Sequence, residues 1–271
     1  MRALRRRAPF AGLLGLALGV TRAAAQVSAN RSTAYLVPTD VTDARALWVN
    51  PAGPAVRHEA SVMLDLTVVQ PGGRGRLGQI TTGFSSHGLS FGYQRDNFGN
   101  GLHGHTYRLG IAGASGGLAA GVALSFYRGS TGGTGWDIGM RYDWKPPITL
   151  GGVIENIGRP TVRGVPRDVT VVPAITVRPL TALLALSAQG AFTTTAARGY
   201  ALQASAEVPG RLGLALVGRL DTDRSWRRRA LTFGLSLGRS DRVGVVGSTP
   251  GDFSRIDTAN LYGVSSRTAG R

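Results

Sequence analysis

The sequence predicts an all-β fold, a transmembrane up-and-down antiparallel β-barrel of about fourteen strands preceded by a short N-terminal plug. Three observations predict it. Apolar and polar residues alternate with period two along most of the chain, each run is close to the ~9–11 residues of a tilted membrane strand, and short and long connections take turns between the runs. Composition fits: 40 of 271 residues are glycine, 42% are hydrophobic and only 17% are charged, so the chain is neither collagen-like nor disordered. The absence of cysteine excludes a disulfide framework, a zinc knuckle and a thiol nucleophile.

The first element is an export leader over residues 1–25. Arg2, Arg5, Arg6 and Arg7 form a basic start, Pro9 to Val20 an apolar stretch, and Ala23-Ala24-Ala25 a small-residue cleavage site before Gln26. Twelve apolar residues are too few for the ~20 of a membrane-crossing helix. Arg22 leaves with the other four arginines, so the formal charge falls from +16 to +11. No later segment has 18 consecutive apolar residues, which leaves strands as the only means of crossing a bilayer.

Residues 26–56 form the expected plug, and residues 57–271 the barrel. Breaker clusters divide the barrel into runs at 58–69, 77–85, 88–95, 105–113, 117–128, 134–145, 147–157, 168–178, 180–193, 198–208, 210–220, 228–239, 242–248 and 257–266. In the sixth run Trp136, Ile138, Met140, Tyr142 and Trp144 alternate with Asp137, Gly139, Arg141 and Asp143, with aromatic residues at both ends of the apolar row. Leu118 to Phe126 and Leu231 to Leu237 repeat the scheme, as do Leu212, Leu214 and Leu216. Short connections are expected at Ser86-His87, Ser115-Gly116, Pro146, Pro179, Pro209 and Ser240-Asp241. Long ones are expected at 70–76, 96–104, 129–133, 158–167, 194–197, 221–227 and 249–256, which puts both chain ends at the short-turn rim.

A secreted β-sandwich also uses period-two strands and glycine turns, but it buries its apolar rows and has no need of aromatics at row ends. The second row here is rich in Gly, Ala, Ser and Thr, interrupted by Asp65, Arg108, Asp137, Arg141, Asp143, Gln189, Gln203, Glu207 and Arg219. A solvated outer face would carry more charge, so these residues are expected to line a lumen.

The segment Thr42-Asp43-Ala44-Arg45-Ala46-Leu47-Trp48-Val49-Asn50-Pro51-Ala52-Gly53 resembles the Asn-Pro-Ala-Gly entry of the FadL/PorV-like outer-membrane barrels, where a short helix leads into the first strand. Gly151 to Pro160, with Asn156-Ile157-Gly158, is similar to a strand-ending corner of the PorV-type branch, and the chain is also similar to barrel domains fused to S49-type peptidases. The resemblance implies location in the bacterial outer membrane and a plug motif of Asn50, Pro51, Ala52 and Gly53 lying in the lumen as a hatch. Asn50 is expected to cap and turn the backbone, Pro51 to remove a donor, and Gly53 to supply a positive φ. Two functions are implied: passage of small molecules, hydrophobic ones included, through a monomeric barrel with a small-residue lumen, or a non-conducting scaffold that docks an exported protein.

Enzymatic readings are weak, and no catalytic residue, cofactor or metal is expected. His103-x-His105 lacks a third ligand at usable spacing. Lys145 is the only lysine and stands before Pro146-Pro147. Asp137 and Asp143 lie six residues apart on one strand, about 20 Å, too far for a carboxylate pair. Gly129 to Gly135 has no following helix or lysine and is a loop. Arg159, Arg163, Arg167, Arg224, Arg227, Arg228 and Arg229 fall in expected long loops without an aromatic stacking platform. Nucleic acid is therefore not the expected partner; lipopolysaccharide phosphates are, since Arg binds phosphate bidentately.

Overall fold

A computed structural model describes residues 30–145, 147–181 and 183–268. The expected leader lies outside the described residues. Fourteen strands close into one antiparallel barrel. They are β1 (Glu59–Val69), β2 (Arg76–Ser86), β3 (Leu89–Gly99), β4 (Leu102–Ser115), β5 (Leu118–Gly129), β6 (Thr134–Lys145) and β7 (Ile148–Ile157), followed by β8 (Thr170–Val177), β9 (Leu184–Thr193), β10 (Ala197–Glu207), β11 (Ala215–Asp223), β12 (Arg228–Leu237), β13 (Asp241–Pro250) and β14 (Thr258–Thr268). Each strand pairs with its neighbours in sequence, and β14 closes on β1 with Glu59 opposite Thr268 and Val69 opposite Thr258. An even strand number places the start of β1 and the end of β14 at the same rim, here called the terminal rim, with the loop rim opposite.

The period-two pattern separates the two faces as a pleated strand requires. On β1, Ser61, Met63, Asp65 and Thr67 point into the barrel and are buried, while Val62 and Leu64 face outward, each 50% exposed. On β6, Trp136, Ile138, Met140, Tyr142 and Trp144 are exposed outside, whereas Asp137 and Arg141 are buried inside. An outward apolar wall with aromatics near both ends, with every barrel strand paired on both sides, is the geometry of a barrel solvated by lipid. No helix is long and apolar enough to cross a membrane among the described residues. Among the described residues the helical content is one turn, α1 (Ala46–Val49), and a 3-10 turn at Gly53–Ala55, both inside the barrel.

The expected alternation of link length does not hold. The loop-rim link expected at 96–104 is instead mostly strand, because β3 and β4 extend to a two-residue turn at Asn100-Gly101 with φ of 52° and 74°. Asn-Gly favours the turn with two positive φ values whose twist matches the hairpin. On the terminal rim the links expected to be short at Pro179 and Pro209 run over 178–183 and 208–214. Gly213, at φ 59°, interrupts the run expected at 210–220, so Leu212 and Leu214 belong to the link and β11 begins at Ala215. On the loop rim, Thr131–Gly132, Thr161–Val162 and Val165–Pro166 form a small three-stranded sheet that ties the β5–β6 link to the β7–β8 link.

Candidate functional site

Residues 30–56 run through the lumen, and the buried apolar core of the molecule forms between them and the inner wall. Tyr35, Ala44, Leu47 and Trp48 cluster with Met63, Ala123, Val246, Tyr262 and Val264 of the wall. This packing requires flat wall surface, and glycines supply it. A Cβ on Gly92 would lie 2.6 Å from Trp48 Cζ2, and one on Gly110 would lie 2.7 Å from Leu47 Cδ1. Gly121 and Gly139, opposite each other on β5 and β6, would collide with the Pro51 carbonyl and with Asn50 Oδ1. The small-residue row on β3 to β6 is thus the seat of the plug.

The expected plug motif sits at the centre of this seat. Asn50 is fully buried; its Nδ2 donates to the Pro38 carbonyl at 2.9 Å and to the Met140 carbonyl of β6 at 3.1 Å. Its Oδ1 accepts from the Ala52 N–H at 3.1 Å, so the side chain turns the backbone and fixes it to the wall together. Gly53 corrects one expectation. It lies in the 3-10 turn and not among the positive-φ glycines; the requirement is space, since a Cβ there would lie 2.5 Å from Ala46 Cβ and 2.6 Å from the Val41 carbonyl oxygen.

Polar anchors hold the plug on several sides of the barrel. Gln79 of β2 accepts from the Arg31 and Ser32 N–H groups at 2.8 and 3.2 Å. Thr39 and Thr176 of β8 share a hydrogen bond at 2.7 Å, Arg178 pairs with Asp40, and Arg219 Nη1 of β11 donates to the Leu36 carbonyl at 3.2 Å. Within the plug, Arg45 pairs with Asp43 at 2.6 Å, donates to the Tyr35 hydroxyl at 3.0 Å and lies 5.1 Å over the Tyr262 ring. Burial alone would raise the Asp43 carboxyl; the Arg45 charge and its hydrogen bonds outweigh that and hold it below the ordinary carboxylate range. Burial raises the Tyr35 phenol, so it stays a neutral acceptor for Arg45.

Of the residues expected to line the lumen, Asp65, Arg108, Asp137, Arg141, Gln203 and Arg219 are buried inside the barrel, and Asp143 and Glu207 stand at the terminal rim. They form local pairs and not one cluster. Asp65 accepts from Thr67 and Asn260, Arg108 pairs with Asp137, and Arg141 with Asp143 at 3.1 Å. Arg219 pairs with Asp221 at 2.8 Å, and Arg242 with Glu207 at 3.4 Å. Arg108 also lies 5.7 Å over the Trp48 ring, so it joins wall to plug. Asp137 accepts from the Asn156 N–H at 2.8 Å, and Asn156 takes the positive φ, 61°, that turns the chain out of β7.

The loop arginines are dispersed. Arg159 pairs with Asp168 at 3.5 Å, Arg163 lies 5.8 Å over Phe98, and Arg228 lies 4.8 Å over Phe253. Arg167 and Arg229 line the lumen, and Arg224 and Arg227 sit in the β11–β12 link. His103 and His105 bind different partners, Asn97 and Tyr93, and among the described residues no group of three or more His, Asp or Glu is arranged to hold a metal.

The plug leaves two cavities. One, of about 1260 Å³, opens at the terminal rim; the other, of about 800 Å³, opens at the loop rim. Both extend along β9 to β14 and reach other strands as well, the first at Arg141 and Asp143 of β6 and the second at Arg108, Asp137 and Glu155; each is lined by seven arginines and five carboxylates. Tyr35 and Leu36 line both. They separate the two vestibules by packing with Val217, Val246 and Tyr262. No sequence pattern marks this partition, because Tyr35 and Leu36 precede the recognisable plug motif.

Fold and lumen together define the class: a plugged, transmembrane-type β-barrel of fourteen strands. No family model and no curated protein sequence matches the chain. Similar solved structures include the KdgM porin, 12% identical over 76% of this chain and 98% of that one with a TM-score of 0.43. Another is the Acinetobacter baumannii outer membrane protein Omp33, 10% identical over 78% of this chain and 98% of that one with a TM-score of 0.49. A triple mutant of the Rhodopseudomonas blastica porin is 8% identical over 77% of this chain and 99% of that one, with a TM-score of 0.44.

Proposed function

We propose that the protein is a monomeric conduit of the bacterial outer membrane for small polar solutes, held closed by its own N-terminal segment. The observation that carries this reading is the pair of polar vestibules, divided along β11 to β14 by a single layer, Tyr35 and Leu36 against Val217, Val246 and Tyr262. Hydrophobic solutes suit the lumen less, because seven arginines and five carboxylates line each vestibule and an apolar solute would have to desolvate them. The excess of arginine on both sides favours anions in passage. No catalytic role is proposed. Contact of the rim arginines, Arg224, Arg227 and Arg228 among them, with lipopolysaccharide phosphates belongs to the same membrane placement.

A second reading, a non-conducting barrel that docks an exported protein, draws on the anchoring of the plug to β2, β6, β8 and β11. Solute flux into liposomes separates the two. The full chain passes little solute, and removal of residues 30–50, or the milder Tyr35→Ala with Leu36→Ala, raises flux at least about tenfold if the partition is the barrier. A barrel that folds and remains impermeable in every form supports the docking reading instead.

A further inference from the structure

The outer wall carries a cationic row that the lumen does not use. Arg95 on β3 stands opposite His105 on β4, and His105 stands opposite Arg128 on β5. All three alternate with lumen-facing neighbours and therefore point outward; Arg95 and Arg128 are exposed and His105 is half-buried. Neighbouring strands are ~4.8 Å apart, so the row spans about 10 Å at the backbone, within which the two long arginine side chains at its ends can converge on one phosphate. One step toward the barrel middle lies an aromatic row in the same register, Tyr93, Tyr107 and Phe126, and below it Phe91, Leu109 and Leu124.

The row is positioned and lacks counter-charge. The Tyr93 hydroxyl engages His105 Nδ1 at 2.9 Å and the two rings stack, which leaves Nε2 as the ring nitrogen for a ligand. Among the described residues neither Arg95 nor Arg128 forms an ion pair, in contrast to the paired arginines of the lumen. The adjacent carboxylate, Asp96, points to the other face and accepts from Gln79 at 2.6 Å and Gln94 at 2.9 Å. Unpaired cations just above an aromatic row lie at the depth where a lipid presents its phosphate, and guanidinium groups bind that group in bidentate fashion.

We propose that Arg95, His105 and Arg128 form a binding site for the phosphate of an anionic lipid in the leaflet around the loop rim, with Tyr93, Tyr107 and Phe126 packing against its acyl or sugar portion. The proposal rests on the membrane placement above and is independent of conduction. Native mass spectrometry of the full chain in detergent, with diphosphoryl lipid A as probe, tests it. Both arginines are exposed on the outer wall, so Arg95→Gln with Arg128→Gln leaves the lumen intact, and heat-modifiable gel migration confirms that the variant folds. The expected result is a loss of lipid A affinity of about tenfold or more, with phosphatidylcholine binding unchanged. Equal lipid A binding by wild type and variant overturns the site. Displacement of lipid A by equimolar inorganic phosphate overturns the lipid as its ligand. A loss of that size on replacing Arg227 and Arg228 with Gln, with the Arg95→Gln, Arg128→Gln variant binding as wild type does, assigns lipid A to the loop arginines and also overturns the row.

Discussion

Asn50 is the residue on which the plug turns. Its amide spends both donors and its oxygen on backbone groups, and all three partners are otherwise interior. Asn50→Ala leaves those groups unsatisfied, at about 1–3 kcal/mol for each buried partner lost. The expected outcome is an intact barrel with a loosened plug, read as faster trypsin cleavage after Arg31 and Arg45. Gly139 tests the seat from the wall side, because a side chain there enters the space of Asn50 and Pro51. Gly139→Val should release the same cleavage sites. Gly113→Val, where a Cβ meets nothing within 4 Å, should not. The Asn-Pro-Ala-Gly motif could be read in the sequence as a lumenal turn, whereas the role of Gly53 could not, since a requirement for space depends on where Val41 and Ala46 come to lie.

Among the elements, the strands were the most legible, because lipid outside and packing inside impose opposite demands on successive residues. Trp136 to Trp144 show this directly, and boundaries mostly fall within a few residues of expectation. The links were less legible. Asn100-Gly101 was a readable hairpin signal lost within a polar stretch, and Gly213 ended a leucine alternation that otherwise looked like strand. Leu109, outward on β4 and 49% exposed, tests the face assignment: Leu109→Arg should cost about 2–4 kcal/mol in folding into bilayers if it lies near the bilayer midplane, measured by urea titration. The plug has its own electrostatic test. The folded-state pKa of Asp43 is lowered by Arg45, so its contribution is present above the unfolded value and is lost as pH falls through the lowered one. Protease resistance of the plug should therefore persist from pH 8 to about 5 and weaken below about 4.

At the scale of the whole molecule, the low charge and high glycine content have a common origin in a barrel that meets lipid outside and its own N-terminal segment inside. The glycine-rich inner row was expected to line the lumen, and on β3 to β6 it accommodates Leu47, Trp48, Asn50 and Pro51. Open volume extends along β9 to β14, where the hydrogen bond from Arg219 to the Leu36 carbonyl holds the plug. The central claim is that this plug must move for solute to pass. Thr39 and Thr176 face each other with hydroxyls 2.7 Å apart, and the chain has no cysteine, so Thr39→Cys with Thr176→Cys would introduce a single reversible tether between plug and wall. Planar-bilayer current through this double variant, before and after reduction, is the most direct measurement. The account predicts that the oxidised form is silent and that reduction restores the small, anion-preferring current of the untethered full chain. Equal current in both states, or silence in both from a correctly folded barrel, would contradict it.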